Sequence, residues 1–459
     1  MRWMVAEGFA PLLPMLLTTK AVQVVKDDRA KFVARFEVNG RAFYLKRYRH
    51  GAFMLRPLKF LLKRSQAKEE WLLATKLEKA GVPIVRHVAL GEHWSARGLV
   101  ESVLITEAFD GLPIELRHAE YFPRVADFVG QMARAGIVHS DFHPANLLLN
   151  EQSGEIRLID LYGMRLFPRH PQEDLRCLLL AQLRVTLPIP ASELVIRMGT
   201  RLRREKLAQR ARRCLKSNRD FTVRQFGKIR WQVRRSAITP AVEAALSDPD
   251  GFLARARALK AGRSSTVGAA DGLVLKRHNF KKLLNPLKDL FRGSRGRRDF
   301  LKGYHLELCG VRTPLVIATA DQRILGIPVR SFVLMAEIRD AVDAGKASDE
   351  GLVGLARMLA RIHEEGFTHR DLKETNILFD ATGSPNLIDL DGLNFVDTVT
   401  ENDAVRDLIR LARGLAGKAN AGWFEMFLET YRRERNLAPH AMLMPLASAL
   451  LESHHSLKS

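Results

Sequence analysis

The sequence is short of cysteine, of acidic residues relative to basic ones, and of long apolar runs, and each shortage removes a class of protein. Cys177, Cys214 and Cys309 lie far apart with no CxxC spacing, which suggests neither a zinc site nor a disulfide framework and fits a reducing cytoplasm. No stretch approaches the roughly eighteen consecutive apolar residues of a membrane span, so any membrane association is expected to be peripheral. The run from Phe9 to Leu17 holds Pro11 and Pro14 and lacks a basic leader, and it is read as no signal peptide. Also missing is a GxGxxG loop.

What is present is a long chain of ordinary globular composition. With 459 residues it exceeds what one core usually organises, so two domains are expected. Apolar residues make up 46% and charged residues 27%, which excludes a disordered or fibrous chain. Lys and Arg number 73 against 51 Asp and Glu, and the net charge of +22 favours anionic partners.

An internal repeat decides the organisation. HSDFHPANLLL from His139 matches HRDLKETNILF from His369, 230 residues later, and Lys46 of FYLKRY matches Lys276 of LVLKRH at the same offset. Gly81 and Gly310, and likewise Asp160 of LIDLYG and Asp389 of LIDLDG, stand 229 apart. Each half opens with short β-rich segments and continues in helical ones. Val22–Val25, Lys31–Glu37 and Arg41–Lys46 alternate in polarity and are broken at Asp27-Asp28-Arg29 and at the hairpin signal Asn39-Gly40. Ser65–Ala80 and Tyr121–Ala135 read as helices. The stretch from Arg197 to Arg235 carries fifteen Lys or Arg against Glu205 and Asp220. We therefore expect a first domain over 1–195, a basic helical connector over 196–255 and a second domain over 256–459.

The repeated residues suit phosphoryl transfer, which needs positioning, charge neutralisation and a carboxylate beside the attacking hydroxyl. In the first half Asp141 is the candidate base, Asn146 and Asp160 are candidate magnesium ligands, and Lys46 would meet the nucleotide phosphates with Glu70 as its partner. In the second half the same roles fall to Asp371, Asn376, Asp389 and Lys276. The helix register there places Asp299 where Glu70 stands, one methylene shorter. Hard oxygen donors of this kind suit Mg²⁺. Ser264 and Ser265, in Gly262-Arg263-Ser264-Ser265-Thr266, could cradle phosphates; Asp27-Asp28-Arg29 is poorly suited to do so. Lys373 stands two positions after Asp371, within reach of a transferring phosphate, where the first half has His143. His139 and His369 read as buttresses of their loops.

These segments resemble the Kdo/WaaP family of bacterial lipopolysaccharide kinases. The resemblance runs through FYLKRYRHG, the KEEW helix up to AGVPIVRHVALGE, HSDFHPANLLL and LIDLYG. In the second half it runs through GRSSTV, LVLKRHNFKKLLNPLKDLF, GVRTPL, HRDLKETN and LIDLDG. It implies an α+β chain of two tandem protein-kinase-like bilobal domains, each with a small β-rich lobe and a helical lobe. It further implies ATP and Mg²⁺ as cofactors and a sugar hydroxyl of the lipopolysaccharide inner core, Kdo or heptose, as acceptor at the cytoplasmic face of the inner membrane. Ser140 replaces the arginine of the usual HRD.

The acceptor can also be read from spacing. Asp174 follows Asp160 by 14 residues and Asp407 follows Asp389 by 18, which leaves no room for the long activation segment with which protein kinases dock a peptide. A sugar or anionic glycolipid is favoured over a protein. The basic stretch fits an anionic membrane surface or a solvated helical face equally, and no aromatic-rich motif accompanies it to suggest nucleic acid. Three alternatives stand beside the glycolipid kinase: one active half with a regulatory pseudokinase, a protein kinase, and a non-catalytic nucleotide-binding scaffold.

Overall fold

The computed structural model describes residues 1–50, 60, 63–96, 98–167, 169–279, 293–324, 327–415 and 421–437. The segment FKKLLNPLKDLF, over which part of the resemblance runs, lies outside them. The chain forms two compact units, Met1–Arg203 and Arg204–Ser459.

In the first unit, alternating sequences become an antiparallel sheet. Its strands are β1 Arg2–Val5, β2 Gln23–Asp27, β3 Lys31–Val38, β4 Arg41–Arg49, β5 His87–Ser95 and β6 Gly98–Glu107, in the order β1-β5-β6-β4-β3-β2. Asn39 and Gly40 join β3 to β4 with φ of 51° and 71°, the two left-handed positions that a tight hairpin requires. Phe43 and Leu45 bury one face of β4 against Phe9, Leu16, Val88 and Ile105, so the N-terminal apolar run is core. Helix α1, Gln66–Lys79, begins at Ser65, whose hydroxyl accepts from the Lys68 amide at 3.1 Å. Beyond the sheet, helices α2 Phe122–Arg134 and α3 Gln172–Leu183 pack Val125, Phe128, Val129 and Leu179 into a separate core. Helix α4, Glu193–Ala211, carries the chain across the division between the units.

The second unit repeats this plan with one strand more. Its strands are β7 Phe221–Phe226, β8 Ile229–Arg234, β9 Arg257–Ala261, β10 Ser265–Ala270, β11 Leu273–Asn279, β12 Val316–Ile324 and β13 Ile327–Ala336, in the order β7-β8-β12-β13-β11-β10-β9. Helix α5, Arg295–Leu308, stands where α1 stands, and α6 Asp349–Glu364 and α7 Glu401–Leu415 build the helical core around Leu355, Leu359 and Leu408.

The basic stretch is not the helical connector expected over 196–255. Strand β8 pairs with β12 as β1 pairs with β5, so 221–234 is part of the second sheet. A count of charges hides the alternation beneath it: Phe221, Trp231 and Val233 are fully buried while Arg224, Lys228 and Arg230 are exposed. A period of two with aromatic and branched residues inward is a strand whatever its outer face carries.

Close approach of helix to sheet in the second unit depends on Gly296, whose added Cβ would lie 2.6 Å from the Phe332 carbonyl oxygen. That oxygen belongs to backbone and cannot move aside. Replacing Gly296 by Ala is expected to destabilise the protein by about 1–3 kcal/mol, read as a lowered urea midpoint with the denaturant slope unchanged.

Candidate functional site

The period-two alternation that buries Phe43 and Leu45 on one face of β4 turns Lys46 and Tyr48 to the other, toward α1. Lys46 Nζ lies 3.3 Å from Glu70 Oε2 and 3.4 Å from Asp160 Oδ1. Tyr48 donates to Glu70 Oε1 at 3.2 Å, so both oxygens of this fully buried carboxylate are engaged. Burial holds Glu70 above its ordinary pKa against the pull of Lys46. For Lys46 burial opposes the charge, but Glu70 and Asp160 outweigh it and the ammonium is raised. Asp160 has a φ of 58°, a left-handed conformation uncommon for a side chain other than glycine.

The second half repeats the arrangement with one physical difference. Lys276 Nζ lies 3.1 Å from Asp299 Oδ2 and 3.3 Å from Asp389 Oδ1. His278, which stands where Tyr48 does, reaches the same Oδ2 at 3.1 Å. The shorter side chain thus meets both partners through one oxygen, and its Oδ1 is buried without a hydrogen-bond partner among the described residues. Burial opposes ionisation of Asp299, but Lys276 and His278 hold the carboxyl well below the carboxylate range.

A pH dependence follows from that shift. Because the folded value is lower than that of the unfolded chain, the contribution of Asp299 to stability is complete above about pH 4 and is lost as pH falls below it. Urea unfolding at pH 7 and pH 3 is expected to show a larger acid loss in the parent protein than in Asp299→Asn. Equal losses would mean that the pair carries no linkage.

Each candidate base sits on a loop tied to the neighbouring strand. His139 Nε2 donates to the Asp160 carbonyl at 3.1 Å and its Nδ1 accepts from the Asp141 amide at 3.0 Å. For His369 the same bonds are 2.7 Å to Asp389 and 3.3 Å from Asp371. Both histidines therefore buttress their loops. Asn146 donates to the Asp141 carbonyl at 3.5 Å and Asn376 to that of Asp371 at 2.8 Å. With the amide nitrogen so used, the side-chain oxygen is the atom left for a cation, and Asn376 with Asp389 makes the hard donor pair that Mg²⁺ takes alongside water and phosphate. Among the described residues no group of three or more His, Cys, Asp or Glu could hold a metal ion.

The loops also differ. Lys373 Nζ lies 2.8 Å from Asp371 Oδ1, both exposed, whereas His143 is turned back to accept from the Ala145 amide at 3.2 Å. Asp407, on α7, is buried and accepts from the His369 amide at 2.6 Å. Asp174 stands exposed in the first turn of α3, and Gln182 from that helix holds the first-half loop by accepting from the Phe142 amide at 2.9 Å.

A cavity of about 780 Å³ in the second unit is lined by Ser264, Ser265, Lys276, Asn376 and Asp389. Asp371 and Lys373 are not among its lining residues. Sequence reasoning missed Tyr48 and His278, although their place two residues beyond each lysine on the same strand face was a usable signal.

Comparison with known proteins gives short or distant matches and one long one. A stretch of 43 residues is 51% identical to serine/threonine-protein kinase 16 of Mus musculus and, equally, of Homo sapiens; it covers 9% of this chain and 14% of those relatives. Among solved structures, WaaP in complex with acyl carrier protein is 24% identical with a TM-score of 0.32, over 44% of this chain and 88% of that one. The Cydia pomonella granulovirus kinase is 12% identical with a TM-score of 0.24, over 34% and 56%. The model of the lipopolysaccharide kinase (Kdo/WaaP) family matches residues 17–186 and again 293–431, and the chain belongs to that family.

Proposed function

We propose that this protein transfers the γ-phosphoryl group of Mg-ATP to a sugar hydroxyl of the lipopolysaccharide inner core, Kdo or heptose, or of a related glycolipid. Family membership supports a phosphotransferase acting on lipopolysaccharide. The observation that carries the reading to the residues is the convergence of Lys276, Asp389 and Asn376 on one cavity beside the Asp371 loop, with Asp299 buried behind the lysine and paired to it. Mg²⁺, held by Asn376 and Asp389, would draw charge from the phosphates.

The remaining work falls to side chains. Lys276, raised and kept charged by its two carboxylates, meets the phosphates. Asp371 orients the acceptor hydroxyl and takes its proton as the hydroxyl oxygen bonds to the γ-phosphorus. The bond from that phosphorus to the bridging oxygen breaks, and ADP leaves. Lys373, beside Asp371, meets the group in transit. The first half offers the same set in Lys46, Glu70, Asp141, Asn146 and Asp160.

The short spacing after Asp160 and Asp389 supports a sugar over a peptide acceptor. Exposed Arg212, Arg213, Lys216 and Arg219 support attraction to an anionic surface, and thus a peripheral place at the cytoplasmic face of the inner membrane. Among the described residues no helix is long and apolar enough to cross a membrane. Incubation of the purified protein with Mg-[γ-³²P]ATP and core oligosaccharide is expected to label the sugar. Label on protein and on no core acceptor would reject the acceptor class.

A further inference from the structure

Resting on the kinase reading above, we propose that the second half is the one that takes Mg-ATP, and that Asp28 closes the cleft of the first half to nucleotide phosphates. Strand pairing to the two lysines sets the comparison. Val33 of β3 lies opposite Lys46, and Val267 of β10 lies opposite Lys276. Counted back from these valines, Lys26 matches Lys260, and the register break before each recurs, between Val24 and Lys26 and between Ala258 and Lys260. The turns therefore superpose residue for residue. Asp27, Asp28, Arg29, Ala30 and Lys31 stand where the second half has Ala261, Gly262, Arg263, Ser264 and Ser265.

The same backbone bond closes both turns: the Asp28 amide donates to the Lys31 carbonyl and the Gly262 amide to the Ser265 carbonyl, each at 3.0 Å. What differs is the group on the turn's amides. Asp28 Oδ1 accepts from the Ala30 and Lys31 amides at 2.8 and 2.7 Å. Those two bonds and Lys26, 3.0 Å away, lower its pKa to about 2, so the carboxylate is ionised across the physiological range. Arg49 holds the turn from β4, through the Asp27 carboxylate at 3.0 Å and the Asp28 carbonyl at 2.8 Å.

A phosphate approaching this turn meets a fixed negative charge on the amides that would otherwise receive it. At the matching places of the second half are Gly262, with no side chain, and Ser264 and Ser265, which line the cavity shared with Lys276 and Asp389. The first half is neutralised from within as well. Lys31 and Lys46 both act on Asp160 and Glu70, whereas Ser265 replaces the first of these lysines in the second half.

The test counts and locates bound nucleotide in the absence of acceptor. Calorimetric titration of the whole protein with Mg²⁺ and a non-hydrolysable ATP analogue is expected to give one site per chain. Photolabelling with 8-azido-ATP should mark peptides of 204–459 only, and Lys276→Met should lose at least tenfold in affinity. The graft Asp28→Gly, Ala30→Ser, Lys31→Ser is expected to add a second site. Asp28→Gly alone serves if the triple variant melts below the parent, with weak but measurable labelling of peptides near Lys46. Two sites in the parent, label near Lys46 in the parent, or no second site in both variants would overturn the assignment. No binding at all would remove the kinase reading itself, an outcome distinct from these.

Discussion

Replacing Asp371 by Asn is expected to lower kcat by about 10²–10⁴-fold, the usual contribution of a positioned general base, while leaving the affinity for Mg-ATP unchanged. The substitution preserves size and the polar contact with Lys373, because an amide oxygen can still accept from the ammonium 2.8 Å away. The loop is held through main-chain atoms, by His369 on the Asp371 amide and Asn376 on its carbonyl, and neither bond involves the carboxylate. The loss is therefore one of basicity alone. Steady-state kinetics with core oligosaccharide, together with nucleotide titration, separate the two quantities. A turnover within a few-fold of the parent would remove Asp371 from the proposed chemistry.

The largest effect on stability is expected from Asp407→Ala, about 3 kcal/mol, the low end of what breaking a buried ionic contact costs. Asp407 is 2% exposed, and its two oxygens serve the His369 amide at 2.6 Å and Arg410 at 3.0 Å. Truncation leaves a buried amide without its acceptor. Arg410 is partly exposed, so water recovers part of its solvation, which keeps the estimate low. Asp174→Ala, at the nearest sequence counterpart in the first half, is expected to stay within about 0.5 kcal/mol because that side chain lies on the surface. Urea denaturation of the two variants reads the contrast, and equal losses would mean that Asp174 supports its loop as Asp407 does.

The contrast also shows where sequence reasoning reaches and where it stops. The lysines, the helix acids and the two HxD loops were legible because each is set by short-range pattern: alternation along a strand, the helical period back from a terminal glycine, and one fixed loop. Pairings across the fold were less so. A constant offset of 230 sets Asp28 against Ala258, whereas strand pairing sets it against Gly262, because the second half holds four fewer residues between the turn and the lysine where that offset starts. No local signal marks that slip. Asp174 and Asp407 are an opposite case, alike in sequence and unlike in role, since burial is decided by how α3 and α7 pack. The second domain was placed too late for a third reason: fifteen cations obscured the apolar alternation that makes β7 and β8 strands.

Among the described residues, strand β7 has a neighbour on one side only. The peptide groups along its outer rim would otherwise invite a stray chain to pair with them, and sheets that survive in solution usually defend such rims with charge. Arg224 on β7, with Lys228 and Arg230 at and just beyond its hairpin, sets like charges where two copies of this rim would have to meet. Swapping these three positions for threonine is therefore expected to trade solubility for filament or aggregate before it alters any chemistry, read by sedimentation of the variant beside the parent.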